Sequence, residues 1–236
     1  AIKSPSANEK EYNSKIITLI KRELDIYTEF MYPFFPKYYG QIKDCDDYTI
    51  EFINGRSLEK YNKDELSETD QIRIIFELLL SIEFLHQNGI IYRDLKPDNI
   101  MIDMNKDVVV IDFDRAIKHS NLTENRDNTI DFVSDFAASE INSAKYTYSC
   151  DVYSFGKILG FLNDLSSTKL LDKYPALNNI YLDCINEYPN KRPDINEITI
   201  LIYLIFENDF LDFCFDNFSE NKSIEFIKYI HNIGEN

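Results

Sequence analysis

Apolar positions recur at helical spacing over residues 14–31, SKIITLIKRELDIYTEFM, where Ile17, Ile20, Leu24 and Tyr27 share one face and charges lie between them. This predicts an amphipathic helix that stops before YPFFPKYYG, where Pro33, Pro36 and Gly40 break the pattern. DYTIEFI, residues 47–53, is a short β-prone run and predicts a strand, with NGRS as the turn that leaves it. Residues 69–89, TDQIRIIFELLLSIEFLHQNG, predict a long apolar helix, with Thr69 or Asp70 to cap its start and Gly89 at its end. NIMID and VVVID flank MNKD and predict a hairpin. From about residue 150 the period is helical again, in DVYSFGKILGFL, ALNNIYLDCI and INEITILIYLIF.

A small strand-bearing part followed by a larger helical part predicts an α+β chain in two lobes, residues 1–53 and 54–236. The 236 residues suffice for a sizeable core, and 44% hydrophobic content is that of an ordinary globular protein. With 41 acidic against 25 basic residues the net charge is −16, which disfavours non-specific attraction to nucleic acid or to an anionic membrane. That balance leaves a compact ligand open, because a few local cations dominate a pocket, and it is compatible with basic protein substrates.

Cys45, Cys150, Cys184 and Cys214 are widely spaced with no C-x-x-C pair, so neither a zinc site nor a disulfide framework is indicated. No run approaches the ~18 apolar residues of a membrane span, and AIKSPSANEK lacks the apolar core of a signal peptide. The expected location is the cytoplasm, and the sequons at Asn121, Asn217 and Asn221 are then incidental.

Candidate chemistry enters at IIYRDLKPDNIMI, residues 90–102, which sets Asp94, Lys96 and Asn99 within six positions, with Asp112 beyond the hairpin. A polar turn that only caps backbone and faces water accounts for the composition. Phosphoryl transfer accounts for the spacing as well: it needs an acceptor for a hydroxyl proton, a cation near the moving phosphate and oxygen ligands for magnesium.

YRDLKPDN resembles the catalytic loop H-R-D-L-x-x-x-N of the eukaryotic-type protein kinases, with Tyr92 in place of His. The resemblance implies a two-lobed kinase fold, of which this chain carries the small lobe in part, and use of ATP and Mg2+. It makes Asp94 the group that accepts or orients the substrate hydroxyl proton and sets Lys96 near the transferred phosphoryl group. DLKPDN is similar to serine/threonine rather than tyrosine kinases. Asn99 and Asp112 become the metal ligands.

AIK resembles the strand motif V-A-I-K, making Lys3 the phosphate-binding lysine and Glu23 its partner on the helix. YTIEFINGRSL is similar to the strand entering the hinge: Ile50 takes the gatekeeper position, and the carbonyl of Glu51 and the backbone of Ile53 face adenine. ASE at 138–140 resembles A-P-E, DVYSFG resembles a family helix start, and PNKRPD supplies an arginine. By resemblance Glu140 pairs with Arg192, Asp151 receives backbone donors of the catalytic loop, and Arg93 is positioned to meet a phosphate on Thr123 or Thr129.

Three departures stand against that pattern. None of the six glycines forms a glycine-rich loop before Lys3, so the chain is a fragment or works without that lid. DFD replaces D-F-G, where Asp114 is expected to cost backbone strain and to add charge beside the metal. Val133 stands where the family usually has Thr, with Ser134 adjacent as a substitute. The expected activity is phosphorylation of Ser or Thr in protein substrates, with a regulatory partner possible. The alternatives are a pseudokinase that binds nucleotide or a partner without turnover, and a kinase-like small-molecule phosphotransferase. DLKPDN with ASE and NKRP argues against the last.

Overall fold

The structure, a computed structural model, describes residues 1–3, 14–42, 47–118, 134–143 and 147–217; for Lys3 and residues 14–17, 142–143 and 207–217 it describes the backbone alone. The first layer is an antiparallel sheet of β1 (Ile2–Lys3), β2 (Tyr38–Gln41) and β3 (Tyr48–Ile50) in the order β1-β3-β2. The amphipathic helix α1 (Ser14–Glu29) packs on this sheet through Tyr27, whose ring lies 6.3 Å from that of Tyr48. It ends two residues before the predicted limit. β3 is also shorter than the predicted run: Glu51 N–H bonds back to Lys37 O at 2.8 Å, and Phe52 then turns out to solvent as the chain leaves the sheet.

The long apolar run is α2 (Glu68–Gln87). Its cap is Ser67 rather than Thr69 or Asp70. The Ser67 hydroxyl accepts from Asp70 N–H at 3.1 Å while the Asp70 carboxylate accepts from Ser67 N–H at 3.0 Å, a reciprocal capping box. At the other end Gly89 adopts φ +73°, the left-handed region that closes a helix without a side-chain clash.

Buried among the apolar residues of α2, the Glu77 carboxylate accepts from Arg73 Nε at 3.1 Å and from the backbone of Val108. Arg73 also pairs with Asp107 and donates to Asn105 O at 3.1 Å. These bonds pin the predicted hairpin, β6 (Ile100–Asp103) and β7 (Val108–Val110), onto α2. β4 (Gly55–Ser57) completes that sheet in the order β4-β6-β7, and β5 (Ile90–Ile91) pairs with β8 (Ile117–Lys118).

The remaining described residues are mainly helical: α3 (Ser149–Asp164), α4 (Leu170–Lys173), α5 (Pro175–Cys184) and α6 (Ile195–Asn217). α6 carries the helical pattern of INEITILIYLIF on through ENDFLDFCFDN, which contains neither Gly nor Pro to stop it. The core is continuous from Ile26 and Tyr27 of α1 through α2 to Phe206 of α6. The architecture is thus α+β, with a small strand-and-helix lobe on a mainly helical one. Among the described residues no helix is long and apolar enough to cross a membrane.

Candidate active site

The segment 92–95 between β5 and the hairpin belongs to no helix or strand, so something other than a ladder must hold it. That anchor is Asp151, fully buried on α3: its Oδ2 accepts from Tyr92 N–H at 2.8 Å and its Oδ1 from Arg93 N–H at 2.7 Å. His86, near the end of α2, lies with Nε2 2.9 Å from the same Oδ2. Arg93 is held at φ +68°, a conformation a non-glycine residue keeps only where its surroundings fix it. Its Nε donates to Arg115 O at 2.6 Å, joining this loop to the segment after β7.

Asp94, placed by that loop, is nine-tenths buried, and its two oxygens differ in their surroundings. Oδ2 accepts from Lys96 Nζ and from Asn99 Nδ2, each at 2.9 Å, with Arg115 Nε at 3.7 Å. Oδ1 has no hydrogen-bond partner among the described residues. A carboxylate fixed through one oxygen and open at the other has the geometry to accept a hydrogen bond from a group that is not part of the chain.

Asn99 and Asp112 come together through the hairpin, because Ile111 N–H donates to Asn99 O at 3.0 Å where the strands begin and end. Asp112 sits at φ +67°. Asn99 uses its Nδ2 on the carbonyl and carboxylate of Asp94, both at 2.9 Å, which leaves its Oδ1 without a partner among the described residues. One amide oxygen and one carboxylate suit Mg2+, which binds through one or two protein oxygens together with substrate phosphates. Among the described residues no three His, Cys, Asp or Glu side chains gather to hold a metal by themselves.

Glu23 of α1, 3% exposed, reaches this region: its Oε1 accepts from Phe113 N–H at 3.3 Å and its Oε2 from the Tyr48 hydroxyl. Burial, then the Glu23 carboxylate, pushes the Tyr48 phenol far above its ordinary range, so it stays a donor. The β1–β3 register sets Lys3 opposite Tyr48. Three rings link the layers, with Tyr27 to Phe113 and Phe113 to Tyr92 each at 5.4 Å between centroids. Tyr92 also donates from its hydroxyl to Ile111 O at 2.5 Å. At the edge of the small lobe, Ile50 is buried, and the Glu51 carbonyl and the backbone of Ile53 enter no backbone hydrogen bond among the described residues.

Asp114 corrects the strain expected of it: its φ is not positive, and the strained position is Asp112 instead. The carboxylate is partly buried, with Oδ1 wholly enclosed and without a hydrogen-bond partner among the described residues. Burial, then the charge of Asp112, pushes its carboxyl up to about 6, against the opposing pull of Arg115. Ser134, the adjacent candidate for that threonine's place, is held locally. Its hydroxyl accepts from Phe136 N–H at 3.2 Å within its own turn, and among the described residues it makes no bond to Asp94 or Lys96. Thr123, Thr129 and Val133 lie outside the described residues.

Away from Asp94, Arg192 and Glu140 form a two-pronged ion pair. Arg192 also donates to Ser149 O at 2.9 Å and to Asn186 O at 2.8 Å. Sequence reasoning missed two contacts. His86 to Asp151 spans 65 positions, and nothing in either local pattern points to the other. Arg115 to Asp94 did have a signal, an arginine directly after DFD.

The fold and the loop, hairpin and metal-type residues define the class: this chain belongs to the protein kinase family, whose domain model matches residues 1–163. It is similar to protein kinase C delta type of Rattus norvegicus, 37% identical over 50% of this chain and 18% of that protein. It is also similar to ribosomal protein S6 kinase alpha-2 of Homo sapiens, 32% identical over 59% of this chain and 20% of that one. Serine/threonine/tyrosine-protein kinase HT1 of Arabidopsis thaliana is 26% identical over 83% of this chain and 57% of its own length. The chain therefore spans less than two thirds of each of these relatives.

Proposed function

We propose that this protein transfers the γ-phosphate of ATP to serine or threonine hydroxyls of protein substrates, with Mg2+ as its metal. The observation that carries this reading is the asymmetry of Asp94, saturated at Oδ2 and open at Oδ1, beside Asn99 and Asp112. On this reading the substrate hydroxyl donates to Asp94 Oδ1 and its oxygen attacks the γ-phosphorus. The bond from that phosphorus to the bridging oxygen of ADP breaks, and the proton passes to Asp94.

Lys96 stays by the transferred group, and Lys3, opposite Tyr48 in the sheet, serves the phosphates with Glu23 as its partner. Asn99 and Asp112 hold the metal, which offsets charge on the phosphates when bound. Glu51 and Ile53 offer backbone to adenine. Residues 1–53 act as the small-lobe part and 54–236 as the large lobe, working in the cytoplasm.

The similarity to serine/threonine/tyrosine-protein kinase HT1 supports the acceptor class. A second reading, nucleotide binding without turnover, draws on Asp114, whose enclosed carboxylate adds charge beside Asp112.

Two measurements on the full chain separate these readings. The unfolding midpoint should rise with ATP only when Mg2+ is present; a ligand at ~100 times its Kd stabilises by about 2.7 kcal/mol. Transfer of labelled phosphate to a serine peptide should disappear in Asp94→Asn while that rise remains. A rise with no transfer in the wild type establishes the second reading, and no rise overturns both.

A further inference from the structure

A cavity of about 300 Å³ lies where the end of α2 meets the starts of α3 and α6, at the small end of the range for ligand sites. The chemistry proposed above makes no use of it. Its apolar lining comes from Val152, Pro193 and Ile195, and its aromatic lining from His86 and Tyr148, whose ring centroids lie 4.7 Å apart. His86 is also the residue that meets Asp151, the anchor of the loop carrying Asp94.

The charge around this cavity is negative. Arg192, the one lysine or arginine lining it among the described residues, is bound by both oxygens of Glu140, and its side chain is 1% exposed. The positive ends of the helix dipoles are answered as well. Glu197 N–H donates to Asp194 Oδ1 at 2.8 Å and Asp194 N–H to Glu197 Oε2 at 3.4 Å at the start of α6, while Asp151 lies in the first turn of α3. The lining then adds two carboxylates, those of buried Glu83 and of Asp194, beside the negative end of α2. Gln87 donates its Nε2 to Glu83 Oε1 at 2.9 Å, and its own Oε1 meets no donor among the described residues; the same holds for Asp194 Oδ2.

We infer that this cavity binds a small planar aromatic cation of the amidine class, and that its occupation steadies the loop carrying Asp94. An amidinium presents several N–H groups in one plane, which suits the acceptors offered by α2 and α6, while its ring lies against the aromatic and apolar lining. Beside a buried carboxylate the field of such a cation is poorly screened. A ligand seated on His86 holds the ring that meets Asp151, and through Asp151 the amides of Tyr92 and Arg93.

The test uses the full chain without nucleotide, so its outcome is independent of phosphotransfer. The probe is benzamidine, with benzamide as its neutral and benzoate as its anionic counterpart, and binding is read by titration calorimetry. Benzamidine should bind more tightly than either by about tenfold or more. Asp194→Asn keeps a helix cap but removes a charge, and should weaken benzamidine by about fivefold. Gln87→Lys, which tethers an ammonium beside Glu83, and Asn196→Trp, a large ring at an exposed lining position, should each abolish binding. A cooperative unfolding transition in each variant separates loss of the site from loss of the fold. Deuterium exchange at the amides of Tyr92 and Arg93 should slow with benzamidine in the wild type and not in Gln87→Lys. No binding, equal binding of the three compounds, or binding unchanged in both Gln87→Lys and Asn196→Trp would overturn the site. Binding without slower exchange at those two amides would overturn its link to the loop.

Discussion

Asp114 is a side chain whose surroundings oppose its own charge. With the carboxyl pushed up to about 6 by burial and by Asp112, the folded protein binds this proton more tightly than the unfolded chain, whose carboxyl titrates near 4. Below pH 4 both states are protonated and nothing is lost. As pH rises from 4 to 6 the folded state gives up stability, and above 6 the loss is complete. Asp114→Asn should therefore raise the unfolding free energy of metal-free protein at pH 7.5, by about 1 to 2 kcal/mol after allowing for screening, and leave it unchanged at pH 4. A gain of equal size at both pH values would mean that packing rather than charge is responsible.

At this scale the sequence was informative where the site is contiguous. Asp94, Lys96 and Asn99 share one loop, and a hairpin brings Asp112 back to them, so spacing alone groups the four. It was uninformative where a bond crosses the chain, as from His86 to Asp151. It also misplaced the strain at Asp114, because the need for a positive φ belongs to the backbone path and lies two residues earlier.

Helices were legible from their apolar period, whereas their ends were set by caps that the period does not contain. α2 begins where Ser67 and Asp70 satisfy each other's amides, so Ser67→Ala should cost about 1 kcal/mol in denaturant unfolding, with an unchanged m-value. The approach of α3 to α5 was not legible, since it depends on a glycine whose meaning appears only in the packing. A Cβ on Gly156 would stand 2.6 Å from Cys184 Cβ and 2.9 Å from Ile185 Cγ2. Although alanine favours helix in isolation, Gly156→Ala should destabilise by about 1 to 3 kcal/mol, because two helices must separate to admit one methyl group. Stability equal to or above the wild type would show that α5 yields at little cost.

Across the whole molecule, the Glu140–Arg192 pair ties the segment before α3 to the turn before α6, and Arg192 adds the carbonyls of Ser149 and Asn186 to the same knot. Removing one partner strands a buried charge, so Arg192→Ala should cost about 3 to 5 kcal/mol in urea unfolding. The double change Arg192→Met with Glu140→Leu should recover much of that, because it leaves no buried charge unpaired. The α+β character of the whole was readable from its mixture of strand-like and helical periods, since strands and helices differ locally. How the lobes meet was not, because Glu23 and the rings of Tyr27, Phe113 and Tyr92 join elements far apart in the chain.

The hold of Asp151 on the amides of Tyr92 and Arg93 reaches beyond geometry. Those two N–H groups lie in a segment without regular structure, yet they open only when a buried carboxylate on α3 lets go. Their exchange with deuterium should run at the slow rate of α3 rather than at the rate of exposed turns, and Asp151→Asn should speed both amides together. Asp94, the proton acceptor of the proposed function, then inherits its stillness from a helix 57 positions away, and its timing is that of the core.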